Sequence, residues 1–209
     1  LIRNRDWLGC VQDGANISSD GGNSTLNSDT DQATNAGGGI AVGNGTIDSA
    51  GGNITLGGGA DPSTTAAIGT AATTNDGVRI IGGTLTAGVG NISLRGSSTA
   101  DDAVQLASSA SVSTTSGAIT FVGTGIGASS DDGVVIDGSS VTSDTGSIAI
   151  TGTTVGGDGV DLDSASTIGS TDSATISTTG TTTAAFEAGV EIENGTQVSS
   201  VNGDIQISG

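Results

Sequence analysis

Apolar residues along this chain alternate with polar ones in short runs, and the runs recur. One run, usually Gly followed by alternating apolar positions, stands at Gly39-Ile40-Ala41-Val42, Gly77-Val78-Arg79-Ile80 and Ala103-Val104-Gln105-Leu106. It returns at Gly133-Val134-Val135-Ile136, Gly159-Val160-Asp161-Leu162 and Gly189-Val190-Glu191-Ile192. The first apolar residues of successive runs are 38, 26, 30, 26 and 30 positions apart. Each run is followed by one apolar residue between small polar ones: Ile47, Leu85, Val112, Val141, Ile168 and Val198. A second alternating pair closes each unit: Ile54/Leu56, Ile92/Leu94, Ile119/Phe121, Ile148/Ile150, Ala174/Ile176 and Ile205/Ile207. Gly lies two residues before this pair and four after its first member in every unit but the fifth, where Asp172 and Thr178 stand.

Alternation with a period of two means extended strands with one face buried. Three such strands per unit, turned by Gly-bearing corners, keep their register if each unit is one coil of a solenoid and stacks on the next about 4.8 Å away. The pattern predicts an all-β fold over residues 38–209: a right-handed parallel β-helix of about six coils with three short strands per coil. Residues 1–37 match the period poorly and are expected to form an irregular N-terminal segment, a cap or a docking coil. Length varies mostly after the second pair, from the long Gly59–Asp76 connection with Pro62 to the short one at Thr153–Asp158. The last unit stops at a corner, Ser208-Gly209. A bare last coil has unpaired edges and an open core, as expected of a piece of a longer solenoid or of an end that another molecule covers.

Composition sharpens this picture. With 1% aromatics, 38 Gly and a net charge of −18, the chain has the make-up of a disordered segment, and only the periodic core argues otherwise. There is no His, and the four cations are Arg3, Arg5, Arg79 and Arg95. Ser-His-Asp catalysis and imidazole metal sites are thereby excluded, and the single Cys excludes an internal disulfide or a cysteine zinc site. The charge opposes binding to nucleic acid or anionic membranes. No apolar run is long enough to insert in a membrane, and the first ten residues lack the basic-then-apolar plan of a signal peptide.

The repeats Asp-Gly-Val-Val-Ile-Asp-Gly-Ser-Ser-Val (132–141) and Thr-Gly-Ser-Ile-Ala-Ile-Thr-Gly-Thr (145–153) resemble those of large bacterial surface proteins. The likeness is to filamentous-haemagglutinin-like adhesins and β-strand-repeat exoproteins. That resemblance implies an extracellular or cell-surface stalk, adhesin segment or fibre subunit, with no catalytic residues to carry over. Expected partners are copies of the chain stacked end to end, the rest of a longer solenoid, or surface glycans.

Charge is unevenly placed: after Arg95 no cation follows, while fourteen acids do. Stacking the coils puts Asp137, Asp163 and Glu193 in one column and Asp161 beside Glu191 in another. An Asp also precedes the first strand at Asp76, Asp102, Asp132 and Asp158. Like charges facing one another destabilise a sheet, and hard oxygen ligands at this density suit Ca²⁺. Asp132, Asp137, Asp158, Asp161, Asp163, Glu191 and Glu193 are therefore candidate Ca²⁺ ligands; a solvated acidic face is the competing explanation. The segment from Gly156 to Asp161 looks like the start of a calcium-binding nonapeptide, but it does not recur in tandem.

Residues flanking the second strand are mostly hydroxylic, at Thr84/Thr86, Ser111/Ser113 and Ser140/Thr142, which raises ice or glycan binding as an alternative. The ladder is irregular, since Asp48, Gly169 and Gln197 interrupt it, and Ser and Thr are ordinary strand residues. Asn-x-Ser/Thr sequons occur at Asn16, Asn23, Asn44, Asn53, Asn91 and Asn194. Some β-helices degrade polysaccharides, but Trp7, Phe121 and Phe186 are the only aromatics and no convergent site can be drawn. The expectation is a non-catalytic structural solenoid.

Overall fold

The computed structural model of the chain describes residues 2–3, 9–29, 38–71, 75–127 and 131–209. Trp7 and Arg5 lie outside the described residues. The described chain is a stack of three-stranded coils, so that three parallel sheets run the length of the molecule. The first strands of the coils are β2 (Gly9–Gln12), β5 (Ile40–Gly43), β9 (Val78–Ile81), β12 (Val104–Ala107), β15 (Val134–Asp137), β18 (Val160–Asp163) and β21 (Val190–Ile192). They pair in that order. The second sheet is built in the same way from β3 (Asn16–Ser18), β6 (Thr46–Asp48), β10 (Thr84–Gly88), β13 (Ser111–Thr114), β16 (Ser140–Ser143), β19 (Thr167–Ser170) and β22 (Gln197–Ser200). The third contains β1 (Ile2–Arg3), β4 (Ser24–Ser28), β7 (Ile54–Gly58), β11 (Ile92–Ser98), β14 (Ile119–Gly125), β17 (Ile148–Thr154), β20 (Ile176–Thr182) and β23 (Ile205–Ser208), with β8 (Ala67–Gly69) also pairing to β11.

Outside the fifth closing pair, the apolar positions predicted to face inward meet their counterparts one coil away. Ile47, Leu85, Val112, Val141, Ile168 and Val198 form one column by direct register. The core is a single cluster of Ile, Val, Leu and Ala along the axis, and Phe121 is its largest fully buried side chain. A thin interior holds β-branched side chains well, because they pack on a pleated surface with little rotamer freedom to lose.

Residues 9–28 carry three strands in register with the coil that follows: Val11 pairs with Val42, Ile17 with Ile47 and Leu26 with Leu56. The period is hidden there because Gly9 stands opposite Ile40 and Ser24 opposite Ile54, leaving two of the apolar columns unfilled. The stack thus begins earlier than residue 38.

The fifth repeat needs a correction. Its inward pair is Ile176/Thr178, not Ala174/Ile176, since Ile148 pairs with Ile176, Ile150 with Thr178 and Gly152 with Gly180. The corner before it holds one extra residue, and Ser170 organises the bulge. Its Oγ donates to the Asp144 carbonyl (2.7 Å) and accepts the N–H groups of Asp172 and Ala174 (3.1 Å each). A slip of two residues keeps the same face inward, so alternation alone cannot detect it.

Corners are stitched by side chains as well as by glycine. At the turn into the third strand, Ser49 Oγ donates to the Gly52 carbonyl (2.5 Å) and Thr114 Oγ1 to that of Gly117 (2.6 Å). One residue on from those glycines, Asn23 Oδ1 accepts the Asn53 N–H (2.9 Å), Asn53 Oδ1 that of Asn91 (2.8 Å) and Asn91 Oδ1 that of Ala118 (2.8 Å). Three of the sequon asparagines are therefore rungs of a coil-to-coil ladder. Glycine is required beside them by close approach: a Cβ built on Gly117 would lie 1.7 Å from the Gly90 carbonyl oxygen.

The long connection after the second pair is an excursion within one strand position. β7 breaks off at Gly58 and β8 resumes the same sheet against Gly96–Ser98 of β11. The loop between them is held by Arg95, whose Nε donates to the Ser63 carbonyl at 2.6 Å.

Not every inward residue is apolar: Ser24 and Thr178 both stand in columns of otherwise buried apolar side chains. Thr178 is fully buried in the column of Leu56, Leu94, Phe121 and Ile150, and its hydroxyl has no hydrogen-bond partner. Replacing an unsatisfied buried hydroxyl with an isosteric methyl removes a desolvation cost. Thr178→Val is expected to stabilise the chain by about 1 kcal/mol, measured by denaturant or thermal unfolding against the parent; a loss of stability would show that the hydroxyl is satisfied.

Candidate functional site

The acids gather at the corner that leads from the third strand of one coil into the first strand of the next. Asp76, Asp102, Asp132 and Asp158 each precede a first strand, and three of them form a ladder. Asp102 Oδ1 accepts the Asp132 N–H (3.1 Å), Asp132 Oδ1 accepts the Asp158 N–H (2.6 Å), and Asp158 Oδ1 accepts the Ala188 N–H (2.6 Å). The sequence places Asp here because a short carboxylate reaches the next coil's backbone, as Asn does at the opposite corner. Gln105 adds a hydrogen bond to Asp102 Oδ2 (2.9 Å) and Arg79 Nε lies 3.4 Å from Asp76 Oδ2. That Arg–Asp contact is the one salt bridge found among the described residues.

Electrostatics in this row are dominated by desolvation. Burial, with Asp101 and Asp102 nearby, pushes Asp76 up to about 7 from 3.8. Burial raises Asp102 to about 6, against the hydrogen bond from the Asp132 backbone. Asp132 reaches about 7 through burial and the charges of Asp102, Asp158 and Asp161. Asp161 also reaches about 7, through burial and then Asp163, Asp158, Glu191 and Glu193. Glu191 is raised by its contact with Asp158.

Of the seven residues singled out as metal ligands, the fold brings four together and sets three apart. Asp158 neighbours Asp132, Asp161 and Glu191 near the corner, and Asp161 pairs directly with Glu191 in the sheet. Asp137 and Asp163 pair with each other at the far end of the first strand, where Glu193 follows. There the repulsion is relieved by Asn194, whose Nδ2 donates to Asp163 Oδ1 (2.7 Å) and helps hold that carboxyl below its ordinary value. The tightest trio lies elsewhere. Asp76, Asp101 and Asp102 each bring a carboxylate oxygen within 4.8 Å of the others, a spacing that hard cations accept. Asp101 was legible as an acid beside Asp102, but its convergence with Asp76 required the coil-to-coil register.

The hydroxylic residues of the second strand stand in register, from Thr46 and Thr84 through Ser111 and Ser140 to Thr167 and Gln197. Comparison with known protein families, curated proteins and solved structures finds no match to this chain. Among the described residues no helix is long and apolar enough to cross a membrane.

The raised carboxyls have a consequence for stability. Asp76, Asp102, Asp132 and Asp161 hold protons more tightly in the folded chain than in the unfolded one, so folding takes up protons between about pH 4 and about pH 7. Their stabilising effect is present at the acid end of that window and is lost as pH rises through the folded values. The melting temperature is therefore expected to fall from about pH 5 to about pH 7.5. Asp132→Asn, which keeps the ladder acceptor and removes the charge, is expected to raise the neutral-pH midpoint by about 2–4 °C. A melting temperature that climbs with pH would contradict this.

Proposed function

We propose that this chain is a non-catalytic structural segment of an extracellular or cell-surface β-solenoid, a stalk, adhesin segment or fibre subunit whose coil stack is continued by another coil. The observation that supports this best is the unbroken register of three parallel sheets, which gives successive coils the same apolar columns to stack on one another. Ile205 and Ile207 belong to columns that are fully or almost fully buried one coil earlier, at Ile176 and Thr178, yet they are 43% and 45% exposed. Val190 and Val198 are only partly buried, and the outer edges of β21, β22 and β23 carry backbone groups with no strand beyond them. A repeat stacked in this way can be extended by a further coil at an open edge, from the same polypeptide or from a second copy. The resemblance of the repeats to adhesin and exoprotein solenoids is what supports a cell-surface setting in this proposal. Surface glycans are the corresponding partner class.

Light scattering and electron microscopy test the reading. The chain is expected to associate end to end into rods one coil wide, and Ile205→Lys with Ile207→Lys is expected to leave monomers. A parent chain that stays monomeric at high concentration would count against end stacking. A second reading, cation binding by the acid row, is favoured by the Asp76, Asp101 and Asp102 trio. The neutral arm of the melting series, repeated with calcium chloride and with chelator, separates the two: an unchanged midpoint removes Ca²⁺ from the account.

A further inference from the structure

The outer face of the first sheet changes character along its length. From β15 onward its outward positions include Asp137, Asp161, Asp163 and Glu191. From β5 to β12 they are Ala41, Gly43, Arg79, Ile81, Gln105 and Ala107, with no acid among them. Register shapes this end further. Ala41 stands beside Arg79, and Gly43 stands between Gln12 and Ile81. A methyl group and a hydrogen are thus set among longer side chains. The surface dips there into an open hollow of about 230 Å³, lined by Gln12, Ala41, Val42, Gly43, Arg79 and Ile81. β5 is its floor and the strands on either side supply its walls, so it lies on the flank of the stack rather than at an end. Arg79 is the one cation on the described strands of this sheet. Its Nε lies 3.4 Å from Asp76 Oδ2, and the Asp76 side chain is 1% exposed whereas that of Arg79 is 44% exposed. The buried carboxylate therefore anchors a guanidinium that stays accessible at the rim of the hollow. Burial, then Asp101 and Asp102, raise Asp76 to about 7, so near neutrality it cancels only part of the Arg79 charge. Asp137, the first outward acid of the sheet, is two strand spacings along the stack, about 10 Å. That exceeds the Debye length of about 8 Å at physiological ionic strength.

We propose that this hollow binds one acidic sugar residue, a uronate-type ring, through its carboxylate on Arg79. The C–H face of the ring rests on Ala41, Gly43 and Ile81, and the Gln12 amide meets a ring hydroxyl. Each part of the site selects against a simpler ligand. The planar guanidinium matches a carboxylate better than a neutral sugar, and the aliphatic floor offers nothing to a bare inorganic anion. The hollow is smaller than the roughly 300–1,000 Å³ of drug-sized sites and admits one ring rather than a chain. Acids from Asp137 onward repel a long polyanion, so the fitting glycan is neutral apart from one acidic residue. This names the glycan class that the cell-surface reading leaves open, and it rests on that reading for where the ligand is met. Binding in solution depends neither on where the chain resides nor on end stacking, so a failed titration and a failed surface reading are told apart.

The test is an NMR titration of the full chain with methyl glucuronide, followed at the backbone amides of Ala41, Gly43 and Ile81. Methyl glucoside and sodium sulfate are titrated in parallel. The glucuronide is expected to move those amides with a dissociation constant in the millimolar range, as befits one ring in an open site. The glucoside and sulfate are each expected to bind about tenfold more weakly. Arg79→Gln is expected to weaken the glucuronide by about tenfold. Because that change also touches Asp76, a second variant leaves the charge in place. A Cβ at Gly43 meets only Gln12 Cγ, at an ordinary 3.6 Å. Gly43→Val is therefore expected to melt like the parent while filling the hollow and abolishing binding. Glucoside or sulfate binding as tightly as the glucuronide, or undiminished binding to Gly43→Val, would overturn the proposal.

Discussion

Every part of this structure depends on one constraint: each residue must sit opposite its counterpart in the next coil. Parallel register aligns the inward Ile, Val and Leu into columns, and those columns are the whole core. The same register aligns whatever stands at the corners. Carboxylates are stacked on carboxylates, asparagines on asparagines and hydroxyls on hydroxyls. A stacked identity is favourable when the side chain can bond the next coil's backbone, and costly when it brings like charges together. The chain uses both outcomes. The Asn23, Asn53 and Asn91 rungs are neutral, whereas the Asp102, Asp132 and Asp158 rungs gain similar hydrogen bonds and accept repulsion and desolvation with them.

Much of this was legible in the residue pattern. The anchor runs, the lone apolar residue of the second strand and the closing pair located the strands of six coils, because period-two burial leaves a direct trace in sequence. Two features left none. Residues 9–28 fill the same coil with Gly9 and Ser24 at two inward places, so their apolar signal falls below the period. Past the Ser170 corner the fifth pair falls at Ile176/Thr178, two residues beyond the expected Ala174/Ile176, a displacement that preserves the inward face and is invisible to alternation.

The acidic row was half legible. Columns could be drawn from spacing, and the Asp161–Glu191 and Asp137–Asp163 pairs stand as drawn. Spacing could not show that the corner carboxylates accept backbone N–H groups, which gives them a structural task independent of any ion. It also could not bring Asp101 to Asp76, because that contact joins the connection after β11 to the one before β9, a full coil away. Acidity that first resembled mere solubility is therefore partly internal to the fold.

The claim that coil-to-coil side-chain ladders hold the corners is tested most directly by amide hydrogen exchange. The N–H groups of Asp132, Asp158, Ala188, Asn53, Asn91 and Ala118 lie outside the strands but bond to side chains of the preceding coil. They are predicted to exchange as slowly as the core strand amides of Ile54, Ile92 and Ile119. Exchange of these corner amides at the rate of open loops, with the strand amides still protected, would contradict the account.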